Sequence, residues 1–404
     1  MKPAATAFVL LLLVSNATST SGARAVRRPA AEPVTIPFEL ANHLVILEAR
    51  VTKSRPLSFI LDTGANVAIV RIDTAKELGL ALTGSVTARG AGPGSQTGSR
   101  VRNATWSLVG LERVAQPVSF TLPLPELPAA LGRDLDGIVG GEFIRQFVVE
   151  LDYQSRFIRL HDPATFQYTG RGEALPLDFN ASGHPVVNAT VTSPAGVFER
   201  RFHLDIGSGL ALALHSPFVK EHNLLASSAK SIRMIGARGV GGREAGRLGR
   251  VTALQIGSFR INNVITLFAE ASAGAFADPA LAGNIGAQIA NRFRMFLDYG
   301  RRRLILEASS RFADPYDRAF SGLALRAEGA DYRTFRVREV LEDSPATEAA
   351  ILAGDVVVSI DGITADKLTL TTLNEMLEQP VARQLEVRRG EQRIELTLTP
   401  RPLI

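Results

Sequence analysis

The feature that most restricts what this chain can fold into is a repeat inside it. Phe59-Ile60-Leu61-Asp62-Thr63-Gly64-Ala65 recurs as Phe202-His203-Leu204-Asp205-Ile206-Gly207-Ser208. Ala88-Arg89-Gly90-Ala91-Gly92 recurs as Ala237-Arg238-Gly239-Val240-Gly241, and Gly137-Ile138-Val139-Gly140 as Gly283-Asn284-Ile285-Gly286. Behind the last block, Phe147, Leu151, Asp152, Tyr153 and Arg156 match Phe293, Leu297, Asp298, Tyr299 and Arg302. The blocks keep one order at offsets of 143, 149 and 146 residues, the mark of a duplicated unit rather than of shared strand composition. Each copy reads as mostly β. Apolar runs at 44–52 and 57–61 flank a short polar turn, as do 185–192 and 201–204 in the second copy. Further strands are expected at 101–109 and 118–122, and short helices at 141–147 and 287–293. Lobe one is placed at 35–165 and lobe two at 172–308, with linkers at 30–34 and 308–320.

Composition narrows the chemistry. The 404 residues carry 45 basic and 40 acidic side chains, a mild +5, with no long basic run, so nucleic acid is not an expected partner. There is no cysteine, which excludes disulfides, thiolate metal sites and cysteine nucleophiles. The six histidines lack helical zinc spacing and no Gly-x-Ser-x-Gly occurs, so no metal and no cofactor is expected. The N-terminus reads as a signal peptide over 1–25: Lys2, an apolar run from Ala4 to Val14 too short to span a bilayer, then small residues. The alternative is an anchor that stays attached. No later segment has transmembrane length, so export to the periplasm or outside the cell is expected, with no stable membrane span after cleavage.

The repeated Asp-x-Gly units suggest the chemistry. A buried strand delivers Asp62 at its end, and Gly64, lacking a Cβ, lets a second carboxylate come close. The duplicated lobe supplies Asp205 with Gly207. Two carboxylates about 3 Å apart repel by roughly 5 kcal/mol at an effective dielectric of 20, so they share one proton over a wide pH range. The ionised member can take a proton from water while the protonated member polarises a peptide carbonyl.

At these residues the chain resembles the pepsin/retropepsin aspartic peptidases, in the bacterial retropepsin-like branch with two lobes in one chain. For that family the shared-proton dyad is long established. Phe-Ile-Leu-Asp62-Thr-Gly-Ala is its catalytic signature, and Ile138-Val139-Gly140 resembles its second signature, 78 residues downstream. The resemblance implies a mainly β, bilobal aspartic-protease fold: two duplicated β-barrel-like lobes about a central cleft. It implies Asp62 and Asp205 as the catalytic pair, with Thr63, Gly64, Gly207 and Ser208 supporting the loops. One chain holds both aspartates, so a monomer is expected. The glycine-rich segments, with Gly90, Gly92, Gly239 and Gly241, suit retropepsin-like flaps over a peptide, since no tyrosine lies within 83–105. Plain turns are their alternative. Arg89 and Arg238 read either as contacts for acidic substrates or as solvated charges. Two departures stand out. Ile206 has no hydroxyl for the usual grip between the loops unless Ser208 substitutes, and Asn284 is polar where the family prefers an apolar residue.

Residues 320–401 have no counterpart in either lobe. Ser344-Pro345-Ala346, Ala353-Gly354-Asp355-Val356-Val357 and Asp361-Gly362 resemble a bacterial PDZ domain, an α+β module. The resemblance implies a peptide C-terminus held by backbone N–H groups around Gly322, Leu323 and Ala324, with a helix over 371–378 flanking the added strand. Its alternative is a spacer that binds nothing. A further expectation is that such a groove accepts the chain's own Pro402-Leu403-Ile404, in cis or from a second copy in trans. Two functions therefore compete. One is an exported aspartic endopeptidase whose PDZ domain recruits or orients protein or peptide substrates. The other is a weak or inactive peptide-binding protein on the same scaffold, which Ile206 favours.

Overall fold

The computed structural model describes residues 32–404 apart from 91, 115–118, 235–237, 244–245 and 317–318. The signal-peptide segment therefore lies outside the described residues. The chain is mainly β, with two barrel-containing lobes followed by a smaller β-rich module.

The lobes repeat one another strand by strand. In lobe one the strand Leu57–Leu61 pairs in parallel with Gly137–Val139, which pairs antiparallel with Ala68–Arg71. In lobe two Gly196–Asp205 pairs in parallel with Gly283–Gly286, which pairs antiparallel with Leu212–Leu214. Leu57, Phe59, Leu61, Phe202 and Leu204 are buried, so each apolar strand carries its terminal aspartate into the protein. The run at 101–109 is broken rather than continuous. Ser95–Arg102 ends at Asn103, whose φ of 56° is one that asparagine tolerates, and Trp106–Leu108 starts afresh.

A six-stranded sheet joins the lobes in the order Val34–Pro37, Phe157–His161, Val148–Asp152, Phe293–Asp298, Arg303–Ala308, Glu173–Pro176. Its centre is an antiparallel pairing of the two repeats, Val149 opposite Leu297 and Leu151 opposite Met295. On this seam the buried Glu150 accepts from Arg159 at 2.5 Å and from Arg294 of the other lobe at 2.6 Å, and meets His161 Nε2 at 2.8 Å. Burial alone would raise its pKa. The hydrogen bonds from His161, Arg294 and Arg159 outweigh that and hold it at about 2. Its folded pKa lies below the unfolded value, so its contribution to stability is present above the ordinary glutamate range and is lost as pH falls toward 2. Glu150→Ala should destabilise the chain by about 3 kcal/mol at neutral pH, read by urea denaturation.

The C-terminal module has its own core around Phe335, Val337, Ile360, Leu373, Leu385 and Leu398. Its sheet runs Leu323–Glu328, Thr334–Val340, Val356–Ile360, Arg383–Arg389, Gln392–Leu398. The Ser344 hydroxyl caps the short helix Pro345–Glu348, and the Thr369 hydroxyl caps Leu370–Leu377. The chain's end does not enter this module's groove. Ile404 packs against the main core of the lobes, and its oxygen accepts from Arg250 Nε at 3.1 Å. That apolar side chain finds its surface on lobe two, which corrects the expectation of self-capture within one chain. Among the described residues no helix is long and apolar enough to cross a membrane.

Candidate active site

Asp62 and Asp205 meet where the lobes face each other. Their carboxyls hydrogen-bond to one another. The two glycines make this approach possible. A Cβ on Gly64 would stand 2.8 Å from Asp205 Oδ1, and one on Gly207 would stand 2.1 Å from the Asp62 carboxyl carbon. Each turn thus leaves an open face for the opposite lobe's acid. Gly64 N–H donates to Asp62 Oδ1 at 2.6 Å. The Gly207 and Ser208 N–H groups draw the Asp205 pKa down, and Ser208 N–H donates to the Asp205 main-chain carbonyl at 3.2 Å.

The loops are bridged from one side. The buried Thr63 hydroxyl donates to the Leu204 carbonyl at 2.6 Å and accepts from Ile206 N–H at 3.0 Å. Ile206, which has no hydroxyl to return the bond, is buried in the main apolar core. Ser208 takes part through its backbone, its carbonyl accepting from Ala287 N–H at 2.8 Å.

Sequence reasoning missed His215 and misread Asn284. The Asn284 amide donates to Asp205 Oδ2 at 3.1 Å, and its Oδ1 lies 2.9 Å from His215 Nε2. His215 Nδ1 lies 3.0 Å from the Asp278 carbonyl. The Asn284 amide thus presents its NH2 to Asp205 and its oxygen to His215 Nε2. The corresponding position in lobe one is Ile138, so Asp62 has no such donor. The polar residue at 284 was the visible signal. Its partner, 69 residues away, is brought alongside only by the pairing of Leu212–Leu214 with Gly283–Gly286.

Burial is the largest influence on both acids and raises both above the carboxylate range. For Asp62 the charge of Asp205 adds to it, and the pKa reaches about 8 against the opposing Gly64 and Ala65 N–H groups. For Asp205 the Asn284 hydrogen bond is the largest opposing influence. The Asn284 donor, present on one side only, favours the charge on Asp205 and the shared proton on Asp62.

The two glycine segments meet tip to tip. The hairpin of Ala81–Arg89 and Ser95–Arg102 brings Gly90, Gly92 and Gly94 against Val240 and Gly241. Gly92 N–H donates to the Val240 carbonyl at 3.0 Å and Gly94 N–H to the Gly241 carbonyl at 2.8 Å. Gly239 pairs with Gly242 in the small opposing ribbon, where Gly241 has a φ of 95°. Arg89 is exposed, and the side chain of Arg238 is outside the described set. A Cβ on Gly92 would lie 2.4 Å from the backbone of Gly241 and Gly242. Gly92→Ala should therefore wedge the tips apart. Loss of two hydrogen bonds predicts a fall of roughly 10- to 100-fold in kcat/KM for peptides, carried mainly by KM.

In the C-terminal module Gly322 turns with a φ of 83°, and Leu323 N–H already meets Ser321 Oγ at 3.3 Å. Leu323 and Ala324 begin the edge strand Leu323–Glu328, flanked by the helix Leu370–Leu377. Among the described residues no cluster of three metal-binding side chains forms.

Interleaved Asp-x-Gly turns, two glycine segments that meet tip to tip and a sheet shared between duplicated lobes define the aspartic-protease fold. Comparison with known proteins agrees: the aspartyl protease family matches residues 47–143, and the PDZ domain family matches 336–388. The chain carries an aspartyl-protease-like domain and a PDZ domain. Among solved structures, it is similar to an aspartic proteinase from Irpex lacteus (TM-score 0.47, 14% identity, 70% of this chain and 99% of that one). It is also similar to Basic 7S globulin from soybean (TM-score 0.41, 13% identity, 72% and 100%). Its C-terminal part is similar to the HtrA3 PDZ domain bound to a phage-derived ligand (TM-score 0.19, 24% identity, 20% and 84%). No curated protein matches the chain.

Proposed function

We propose that the chain is an exported aspartic endopeptidase whose PDZ domain recruits or orients protein substrates. The observation that carries this reading is the hydrogen-bonded pair Asp62 and Asp205, each set against the glycine turn of the opposite lobe. Asp205, charged and held by Asn284, takes a proton from a water molecule, whose oxygen attacks the peptide carbonyl carbon. Asp62 gives its proton to the carbonyl oxygen. As the tetrahedral species collapses, the C–N bond breaks, Asp205 passes its proton to the leaving nitrogen, and Asp62 recovers its own. Export is supported by Lys2 and the apolar run that follows.

Incubation of purified protein with a peptide library from acid to neutral pH tests this reading. Cleavage by the parent and none by Asp205→Asn is expected. Binding without cleavage at every pH would overturn it. Asn284→Leu removes the donor that favours ionised Asp205, so Asp205's pKa rises further. The acid limb of the kcat/KM profile should therefore move to higher pH, with a loss of about tenfold near the old limb.

A further inference from the structure

The PDZ groove of this chain already has an occupant. The strand Leu323–Glu328 is an edge of its sheet, paired only with Thr334–Val340 among the described strands. A peptide adding to that edge would lie between it and the helix Leu370–Leu377, against the partly exposed Leu323, Leu325 and Met376. In the structure a segment of lobe one sits there instead. The short helix Leu127–Leu131 packs along the edge strand. Gly132, which ends that helix with a φ of 67°, is pressed so close to the flanking helix that a Cβ would lie 2.5 Å from Leu370 Cβ. The two ends are pinned: Glu126 Oε2 lies 3.6 Å from Arg338 Nη1, and Tyr332 Oη donates to Asp134 Oδ1 at 3.3 Å. One stretch, 126–134, therefore touches both walls of the groove.

The same stretch packs against the residues that border the Asp62 turn. Leu127 and Leu131 belong to the apolar cluster that contains Ala65 and Val67 after the Asp62 turn, Ile138 of the second signature, and Ala88 and Val240 at the flap tips. The Ala130 carbonyl accepts from Asn42 Nδ2 at 3.1 Å, which ties the helix's inner side to the lobe. The helix cannot leave the PDZ edge without disturbing residues that border the acids and the flaps.

We propose that the PDZ groove is an effector site in which polypeptide C-termini with a free carboxylate and an apolar last residue compete with segment 126–134, so that capture of a C-terminus releases a segment packed against the residues that border the Asp62 turn. The ligand class follows from what the groove offers: unpaired strand edge, leucine and methionine side chains, and the turn at Gly322. The apparent affinity is lowered by the fraction of molecules in which the groove is filled. This rests on the PDZ assignment and not on hydrolysis, and its test is independent of turnover.

The test uses the full chain carrying Asp62→Asn, which keeps the probe intact. The probe is a set of fluorescein-labelled decapeptides ending in free Leu, Ile or Val, each with its amidated twin. Binding is read by anisotropy with and without Glu126→Lys and Asp134→Ala, which unpin the segment without altering the groove. The unpinned protein should bind the free-acid peptides about fivefold more tightly, and the amides more weakly than the acids. Hydrogen exchange on the pinned protein gives a readout that needs no lobe substitution. Bound peptide should slow exchange in 323–328 and speed it in 126–134 and 65–67. Equal affinities with 126–134 still protected, or no binding by either protein, would overturn the proposal.

Discussion

Asp62→Asn should lower kcat/KM on peptides by at least about 10³-fold while leaving the circular dichroism spectrum and PDZ binding unchanged. Asparagine fills the same space, but it cannot release and recover the proton that Asp62 holds beside Asp205. The parent's pH profile should be a bell displaced toward neutrality. Its alkaline limb reports loss of the Asp62 proton, at about 8. Its acid limb, where Asp205 takes up a second proton, lies above the ordinary aspartate range because burial raises that group too. His203, two residues before Asp205, is pushed down to about 4 by its own burial and stays neutral across this window. Stability carries the same signature. The folded pKa values of the pair lie above the unfolded ones, so the pair's contribution is full below the ordinary aspartate range. It is lost as pH rises toward 8. Asp62→Asn removes that loss, so its melting temperature relative to the parent should climb between about pH 4 and 8. Parental turnover in this variant would end the endopeptidase reading.

Thr63→Val should be the most damaging change that leaves both acids in place. It keeps the side chain's shape but strands the Leu204 carbonyl and the Ile206 N–H in a buried site. Each unsatisfied backbone group costs about 1–3 kcal/mol, so a loss of about 2–5 kcal/mol is expected in urea denaturation. A fall of roughly 100-fold in kcat/KM should accompany it as the two turns drift apart. Adding Ile206→Thr returns a hydroxyl from the opposite turn and should recover part of both losses. A single variant within about 0.5 kcal/mol of the parent with full turnover would show that the hydroxyl bridge is dispensable.

Much of this was legible in the sequence because the ingredients are local. An apolar strand, an acid and a glycine form a turn whatever lies around them, and their recurrence in one order fixes a pseudo-twofold partner. The pairing of the two glycine segments was legible for the same reason, as glycines at matching offsets. What escaped depends on pairing across distance. His215 is an ordinary residue before a short helix until sheet formation places it beside Asn284. Asn284 looked like a defect because its neighbour was invisible. Likewise, nothing in Leu127–Leu131 announces that it lies on the edge of a module two hundred residues later. The tail was misplaced because an apolar end suits any greasy surface, and lobe two offered one nearer than the groove.

The bridge made by Thr63 alone has a historical consequence. An enzyme assembled from two identical subunits inherits every substitution twice, so swapping threonine for isoleucine would erase both halves of the clasp together. Ile206 and Asn284 are tolerable only once the halves are encoded separately. With the halves encoded separately, one keeps the hydroxyl clasp while the other carries the amide that meets Asp205.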